Sequence, residues 1–195
     1  MAMLVRLLDP AGFRRMPWKN GGGETIEMLV HPDGADLAAF NWRISMARVA
    51  SDGPFSRFEE IDRTLSVLEG GRLVLDFGAS QTLLDPLSEP FPFAGDAAVT
   101  GAVPDGPILD LNVMTRRGIC HHRVQRLRND AAAASRASLA FAFAWRGEAT
   151  LDDGEARFGI PEGHAALIEG EASFRLVTSA GGIAYLVEID APGRA

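Results

Sequence analysis

Alternation of apolar and polar residues with a period of two is the feature that most constrains the fold of this chain. In segment 40–48 the large apolar side chains fall on one face, and Asn41, Arg43 and Ser45 fall on the other. Similar short runs recur along the chain, separated by turns rich in glycine and proline. Many short strands of this kind are typical of sandwiches and barrels, so we predict an all-β protein with little helix.

Two parts of the chain share a weak internal repeat. Each reads as two strands around a glycine turn, then a turn containing proline and glycine, then a closing apolar strand. We predict a larger N-terminal barrel over 1–128 and a smaller C-terminal barrel over 139–195, with strand sharing between them left open. The Ala-rich segment 129–138 lacks an apolar stripe, and we interpret it as a linker or loop. Chance similarity between glycine-punctuated strands is the alternative to a true repeat.

Composition excludes several classes of protein. Hydrophobic residues make up 47% and charged residues 23%, which is ordinary globular usage. The single cysteine, Cys120, excludes an intrachain disulfide, and no apolar run is long enough for a transmembrane helix. The first residues show no signal-peptide core, so we expect a cytoplasmic location and no membrane partner. The net charge of −7 argues against general nucleic-acid binding.

The only lysine of the chain, Lys19, lies in the unusual segment 16–23, MPWKNGGG, whereas the other 18 basic residues are arginine. A P-loop is excluded, because the lysine precedes the glycines and a strand-like segment follows them. One interpretation is a loop that presents Lys19 and Asn20 to a small anion. The alternatives are a structural turn packed by Trp18, or a lysine retained by chance in an arginine-biased chain. A compact ammonium group is not interchangeable with a planar guanidinium group.

Polar residues on several predicted strands form the second candidate site. Arg43 and Ser45 share the polar face of one strand, Arg63 begins another, and Asn112 shares a face with Asp110. A guanidinium group can hold a carboxylate by two parallel hydrogen bonds, and neutral groups can complete a small concave site. Each of these residues could instead be exposed or be part of a buried ion pair.

The sequence offers no metal or nucleophile motif. His121 and His122 are adjacent and would point to opposite faces of a strand, and His31 and His164 stand alone. Neither a Gly-x-Ser-x-Gly elbow nor a Cys-His-Asp spacing is present. We therefore predict no metal, no cofactor and no catalytic residue.

Several motifs occur together in the first 120 residues of the chain. They are MPWKNGGGET (16–25), WRISMA (42–47), GPFSRF (53–58), IDRTL (61–65), LEG (68–70) and DLNVMTR (110–116). In content and order they resemble the HutD/Ves family of small bacterial proteins. The remainder of the chain matches that family only in its cupin-like turns.

The resemblance implies a bicupin, that is, two cupin barrels in one chain. It also implies a link to stress response for Ves-like members and to histidine catabolism for HutD-like members, which the resemblance describes as regulators that sense a pathway intermediate rather than as established enzymes. Metal-binding cupins place a histidine shortly after a Pro-x-Gly turn, but Ala166 fills that position here. Homodimers are common among cupins, so the resemblance offers a homodimer as one possible assembly by analogy, and the sequence itself leaves the oligomeric state open.

Three hypotheses follow. The first is a binding protein for a small carboxylate such as urocanate or a formyl or formimino glutamate, with Lys19, Asn20, Arg43, Ser45, Arg63 and Asn112 as ligand-binding residues. The second is a metal-independent enzyme acting on such a metabolite, with Lys19 as acid or base. The third is a Ves-like stress-response or scaffold protein without a small ligand.

Overall fold

The computed structural model describes residues 3–19, 21–170 and 173–190. Within them the chain forms 19 β-strands and one 3-10 turn at Pro10–Gly12, so the prediction of an all-β fold with little helix is confirmed. No helix in the described part of the chain is long and apolar enough to cross a membrane.

The strands run in chain order. The first eleven are β1 (Leu4–Leu8), β2 (Arg14–Pro17), β3 (Gly23–His31), β4 (Trp42–Val49), β5 (Gly53–Pro54), β6 (Ile61–Gly70), β7 (Leu73–Asp76), β8 (Gln81–Leu84), β9 (Phe91–Ala94), β10 (Thr100–Ala102) and β11 (Ile108–Arg116). The remaining eight are β12 (His121–Arg128), β13 (Ala132–Ser135), β14 (Leu139–Arg146), β15 (Ala149–Asp152), β16 (Arg157–Ile160), β17 (Ala165–Glu169), β18 (Phe174–Thr178) and β19 (Ile183–Asp190).

The strands form two compact units. The N-terminal unit comprises residues 13–120, and the C-terminal unit comprises the described residues of 1–12 and 121–195. The boundary therefore lies near residue 120, where the sequence suggested 128, because β12 pairs along its length with β19. Strand β1 also belongs to the C-terminal unit, because it pairs with β17. Long-range pairing of this kind leaves no local signal in the sequence.

The segment 129–138, interpreted from sequence as a linker or loop, contains strand β13. This strand pairs antiparallel with β18 at one edge of a four-stranded sheet ordered β13-β18-β15-β16. It consists only of alanine and serine, so the alternation between the inward Ala133 and Ser135 and the exposed Ala132 and Ala134 produces no apolar stripe. The sequence consequently resembles a loop, although the backbone is extended and paired.

The N-terminal unit has a six-stranded sheet ordered β2-β3-β4-β11-β6-β9 and a four-stranded sheet ordered β5-β10-β7-β8. Strand β11 lies between β4 and β6, with Asn112 opposite both Ser45 and Leu65. Leu65 belongs with Leu73 and Leu75 of the four-stranded sheet to one apolar cluster. The face of β11 that carries Asn112 is therefore directed into the core between the two sheets.

The C-terminal unit repeats this two-sheet plan. Its five-stranded sheet is ordered β1-β17-β14-β19-β12, and the sheet containing β13 completes the unit. The alternation of small and large residues along β14 places Ala140, Ala142 and Ala144 in one cluster with Leu151 and Leu176. Small side chains on one sheet leave room for larger side chains from the other.

Candidate functional site

Four of the six predicted binding residues lie on the core-facing side of the six-stranded sheet. In the strand register Ser45 pairs with Asn112, while Arg43 and Arg63 both pair with Met114. Arg43, Ser45, Arg63 and Asn112 are between 2% and 6% exposed. The structure thus brings together residues from three strands that are far apart in the sequence, and it buries them.

Arg63 is held by an amide and by two aromatic rings. Its Nε donates to Oδ1 of Asn112 at 2.7 Å, and its Nη2 donates to the same oxygen. The guanidinium carbon lies 4.8 Å from the ring centre of Phe55 and 5.3 Å from that of Phe93. Stacking and hydrogen bonding together fix the orientation of the cation. The position of the side chain is therefore fixed by groups of the protein itself.

Phe55 reaches Arg63 because a glycine faces it on β10. A Cβ atom at Gly101 would overlap the Phe55 ring. Phe93 stands directly opposite Arg63 in the pairing of β6 with β9. Neither aromatic residue was among the residues predicted from sequence, since their approach depends on the closure of one sheet over the other.

Asp110 extends the network from Asn112. The amide nitrogen of Asn112 donates to Oδ1 of Asp110, while Oδ2 is buried and accepts no hydrogen bond from any described residue. Asp110 is fully buried, and this burial raises its pKa to about 7, against the opposing effects of Arg63 and of hydrogen bonds from Asn112 and the backbone of Ala47. The spacing of Asp110 and Asn112 within an apolar strand was the sequence signal for this residue.

Burial also changes the pKa of the Arg63 guanidinium group. Desolvation lowers the pKa of Arg63 to about 10; the carboxyl group of Asp110 opposes this change and the charge of Arg43 adds to it. Arg63 forms no ion pair with a carboxylate among the residues that the structure describes. A buried cation whose hydrogen-bond acceptor is a neutral amide lacks the direct ion-pair partner that would offset its desolvation.

Arg43, in contrast, already has an acidic partner. Its Nε lies 2.7 Å from Oε2 of Glu27, and the side chains are 4% and 10% exposed. Glu27 stands opposite Ser45 in the pairing of β3 with β4. Sequence reasoning missed Glu27, because an irregularity in that pairing, between Glu27 and Leu29, decides which β3 side chains face the core.

The predicted anion loop is a tight connection between β2 and β3. Trp18 donates its Nε1 hydrogen to Oγ1 of Thr25 at 2.9 Å and packs against the core of the N-terminal unit. Gly23 is required there, because a Cβ atom would overlap the carbonyl oxygen of Arg48. Lys19 is exposed and forms no hydrogen bond or ion pair with another described residue, so it does not join the buried network. Asn20 lies outside the described residues.

Metal ligation has no support from the described part of the chain, where no three His, Cys, Asp or Glu side chains lie close enough together to hold an ion. Cys120 is buried, and desolvation raises the pKa of its thiol. The chemistry that the buried network offers is therefore that of hydrogen bonding, of a fixed positive charge and of one carboxyl group that titrates near neutral pH.

Several known proteins are similar to this chain in sequence or in structure. Protein Ves of Cronobacter sakazakii is 34% identical over 176 residues, which cover 88% of this chain and 93% of the relative. The crystal structure of a conserved protein of unknown function from Pseudomonas aeruginosa has a TM-score of 0.88 and 32% identity, over 96% of this chain and 99% of that one. The structure of HutD from Pseudomonas fluorescens has a TM-score of 0.81 and 29% identity, over 97% and 100%.

The cupin character of the fold is seen in a more distant neighbour. A cupin 2 conserved barrel domain protein from Leptotrichia buccalis has a TM-score of 0.53 and 11% identity, over 85% of this chain and 88% of that one. The HutD family matches residues 11–186, nearly the whole of the described chain. The resemblance found in the N-terminal motifs therefore holds across both units, and the chain belongs to the HutD family.

Proposed function

We propose that this protein is a non-catalytic binding protein that senses a small carboxylate intermediate of histidine catabolism. The observation that carries the proposal is the environment of Arg63. Its guanidinium group is buried, lies close to the rings of Phe55 and Phe93, and is hydrogen-bonded to a neutral amide rather than to a carboxylate. A ligand carboxylate would supply the missing negative charge through a charge-assisted hydrogen bond.

The neighbouring groups have distinct proposed roles. Asn112 orients Arg63, and Ser45 is a neutral residue close to it in the strand register. Arg43 is a weaker candidate for the carboxylate, because Glu27 already compensates its charge. Lys19 is exposed, so a role for it is confined to the surface of the unit.

The link to histidine catabolism rests on the family. A solved relative that aligns over 97% of this chain is named HutD, and the curated relative is named Ves. We favour the HutD-like role because the buried, preoriented cation is suited to a small anionic metabolite. A scaffold without a ligand would have no need of an under-compensated buried charge, which costs stability.

Titration calorimetry with urocanate, N-formylglutamate and formiminoglutamate tests the binding step. We expect saturable binding to wild-type protein and binding at least about tenfold weaker in Arg63→Lys, which keeps the charge but loses the planar fork. Arg72→Lys is the matched control, because Arg72 is an exposed arginine of the same unit paired with Asp105. Absence of both heat and thermal stabilisation at millimolar concentrations of all three compounds would rule out the proposal.

The regulatory step is tested in a bacterium that carries the gene. Replacing the gene by the Arg63→Lys allele should alter growth on histidine and transcription of the histidine-degradation genes, whereas the Arg72→Lys allele should not. Normal growth and transcription in a deletion strain would disprove the regulatory role and leave ligand binding to be judged by calorimetry alone.

One observation favours a metal-independent enzyme as a second candidate. Asp110 is a buried carboxyl group with a pKa of about 7, beside the cation that would hold the substrate. A pKa near the working pH is what a general acid or base requires. Incubation of the same three metabolites with wild-type protein and Asp110→Asn, followed by NMR, tests this: turnover that is lost in the variant while binding persists would favour the enzyme.

A further inference from the structure

The C-terminal unit contains a cavity that the function proposed above does not use. It has a volume of about 660 Å³ and is lined by residues in or next to β13, β15, β18 and β19. Pockets for metabolite-sized ligands span roughly 300–1,000 Å³, so the volume is sufficient. The charged and hydroxyl side chains that matter here are Ser135, Arg136, Asp152, Asp153, Arg175 and Glu188.

Glu188 lines the cavity and already accepts hydrogen bonds from two residues. Ser135 donates its hydroxyl hydrogen to Oε1 at 2.5 Å, and Arg123 donates Nε–H to Oε2 at 2.9 Å. The Ser135 oxygen in turn accepts a hydrogen bond from the backbone of Ala137. The negative charge of Glu188 is therefore already compensated by groups of the protein.

Asp152 and Asp153, which also line the cavity, have hydrogen-bond partners as well. Hydrogen bonds from the backbone of Gly154 and from Arg157 hold the pKa of Asp152 below its usual range, with Arg175 adding a smaller electrostatic effect. Oδ1 of Asp153 accepts backbone hydrogen bonds within its own turn, at residues 155 and 156. Both carboxylates thus serve the turn between β15 and β16.

Two cations at the cavity have no hydrogen-bonded acidic partner among the described residues. Arg136 follows β13 directly, and Arg175 lies on β18, opposite Ala134 and Asp152 in the ladder. Both side chains are exposed, and neither guanidinium group forms a hydrogen bond or a close ion pair with a residue in the described part of the chain; Arg175 has only its small electrostatic effect on Asp152. Two guanidinium groups at one cavity, with the acidic groups beside them already bound, favour a negatively charged occupant.

We propose that this cavity is a second ligand site, specific for a small organic dianion that Arg136 and Arg175 hold between them. The shared chemistry is that of a dicarboxylate or a phosphate monoester, since both match the planar donor fork of arginine. The site uses no residue of the N-terminal unit. Ligand binding in this cavity can therefore be tested independently of carboxylate binding at Arg63.

Amide NMR spectra of the full chain, titrated with succinate, with glycerol 3-phosphate and with neutral succinamide, test the proposal. We expect saturable shifts at the amides of residues 134–136, 152–154 and 173–175 with one dianion or both, and none with succinamide. The stronger of the two dianions identifies the ligand class. Shifts around Phe55 report the site at Arg63 separately.

Substitutions distinguish a specific binding site from non-specific electrostatic attraction. The double variant Arg136→Gln/Arg175→Gln should bind the dianion at least about tenfold more weakly, because two charged donors are lost. Arg6→Gln is the matched control; it removes an exposed arginine of the same unit that does not line the cavity, and should change the affinity less than about twofold. Equal losses in the double variant and the control, or no saturable shift at millimolar dianion, would overturn the proposal.

Discussion

Oδ1 of Asn112 accepts two hydrogen bonds from Arg63, through Nε at 2.7 Å and through Nη2, although the two residues are 49 positions apart. The amide nitrogen of Asn112 is directed at Asp110, so one side chain joins a cation to a carboxyl group. This arrangement separates the opposite charges by a neutral group inside an apolar core. The first predictions concern what that separation does to stability.

Asn112→Ala should lower the free energy of unfolding by about 2–4 kcal/mol, because buried donors of Arg63 lose their acceptor. Urea denaturation at neutral pH measures the change. Gln81→Ala, which removes an exposed hydrogen bond to Asp76, is the control and should cost less than about 0.5 kcal/mol. Equal stability of the Asn112 variant and wild type would mean that water or another group satisfies Arg63.

Asp110→Asn should change how stability depends on pH. The folded-state pKa of Asp110 is raised to about 7, from an ordinary value of 3.8, so its protonated form is favoured by folding. This contribution is fully present below about pH 4 and is lost as pH rises through 7. The difference in unfolding free energy between variant and wild type should therefore shift in favour of the variant by about 2–4 kcal/mol from pH 4.5 to pH 8.

Urea titrations at those two pH values measure this difference for each protein. The comparison of variant with wild type cancels the titration of all other groups that the substitution leaves undisturbed. A difference that stays constant between pH 4.5 and pH 8 would show that Asp110 keeps an ordinary pKa in the folded protein.

Gly101→Ala should displace Phe55 from the face of Arg63, because the added Cβ atom would occupy the position of the ring. We expect a loss of about 1–3 kcal/mol in unfolding free energy from the overpacked core, with weaker carboxylate binding. Gly53→Ala is a matched control on the opposite strand, since Gly53 pairs with Gly101 and has open space at its Cβ position. Similar losses in both variants would argue against a specific role for the Phe55 contact.

Glu27→Ala should cost about 3–5 kcal/mol of stability, because it leaves the buried Arg43 without its ion-pair partner. Asp105→Ala removes the partner of Arg72 in an exposed pair whose side chains are 51% and 39% exposed, and should cost less than about 1 kcal/mol. Guanidinium denaturation of both variants provides the comparison. A small cost for Glu27→Ala would indicate that solvent reaches Arg43 in its absence.

Lys19→Arg should leave stability unchanged within about 0.5 kcal/mol, because the side chain is exposed and has no partner among the described residues. Thermal unfolding checks this directly. A larger loss would indicate that the loop before Gly23 accepts only a compact ammonium group. Carboxylate affinity measured on the same variant then decides whether the lysine contributes to binding from the surface.

The sequence by itself determined the class of fold and the family. Period-two alternation requires strands with one buried face, and Gly and Pro between the runs end each strand after a few residues. The same alternation identified Arg43, Ser45, Arg63 and Asn112 as candidate site residues, because each is a polar residue within or opposite an apolar strand. The sequence also showed that Asp110 shares a strand face with Asn112, but it did not show that Asp110 belongs to the buried network.

Tertiary structure alone decided which of these groups meet. Whether a polar strand face is exposed or lies inside a unit depends on the sheet that covers it, and no local pattern encodes that sheet. The partners of Arg63 come from β9, β11 and the segment after β5, while Glu27 reaches Arg43 only through the register of β3 on β4. The same long-range pairing places β1 and β12 in the C-terminal unit. Burial of charge, and with it the raised pKa of Asp110, exists only after these strands have closed around it.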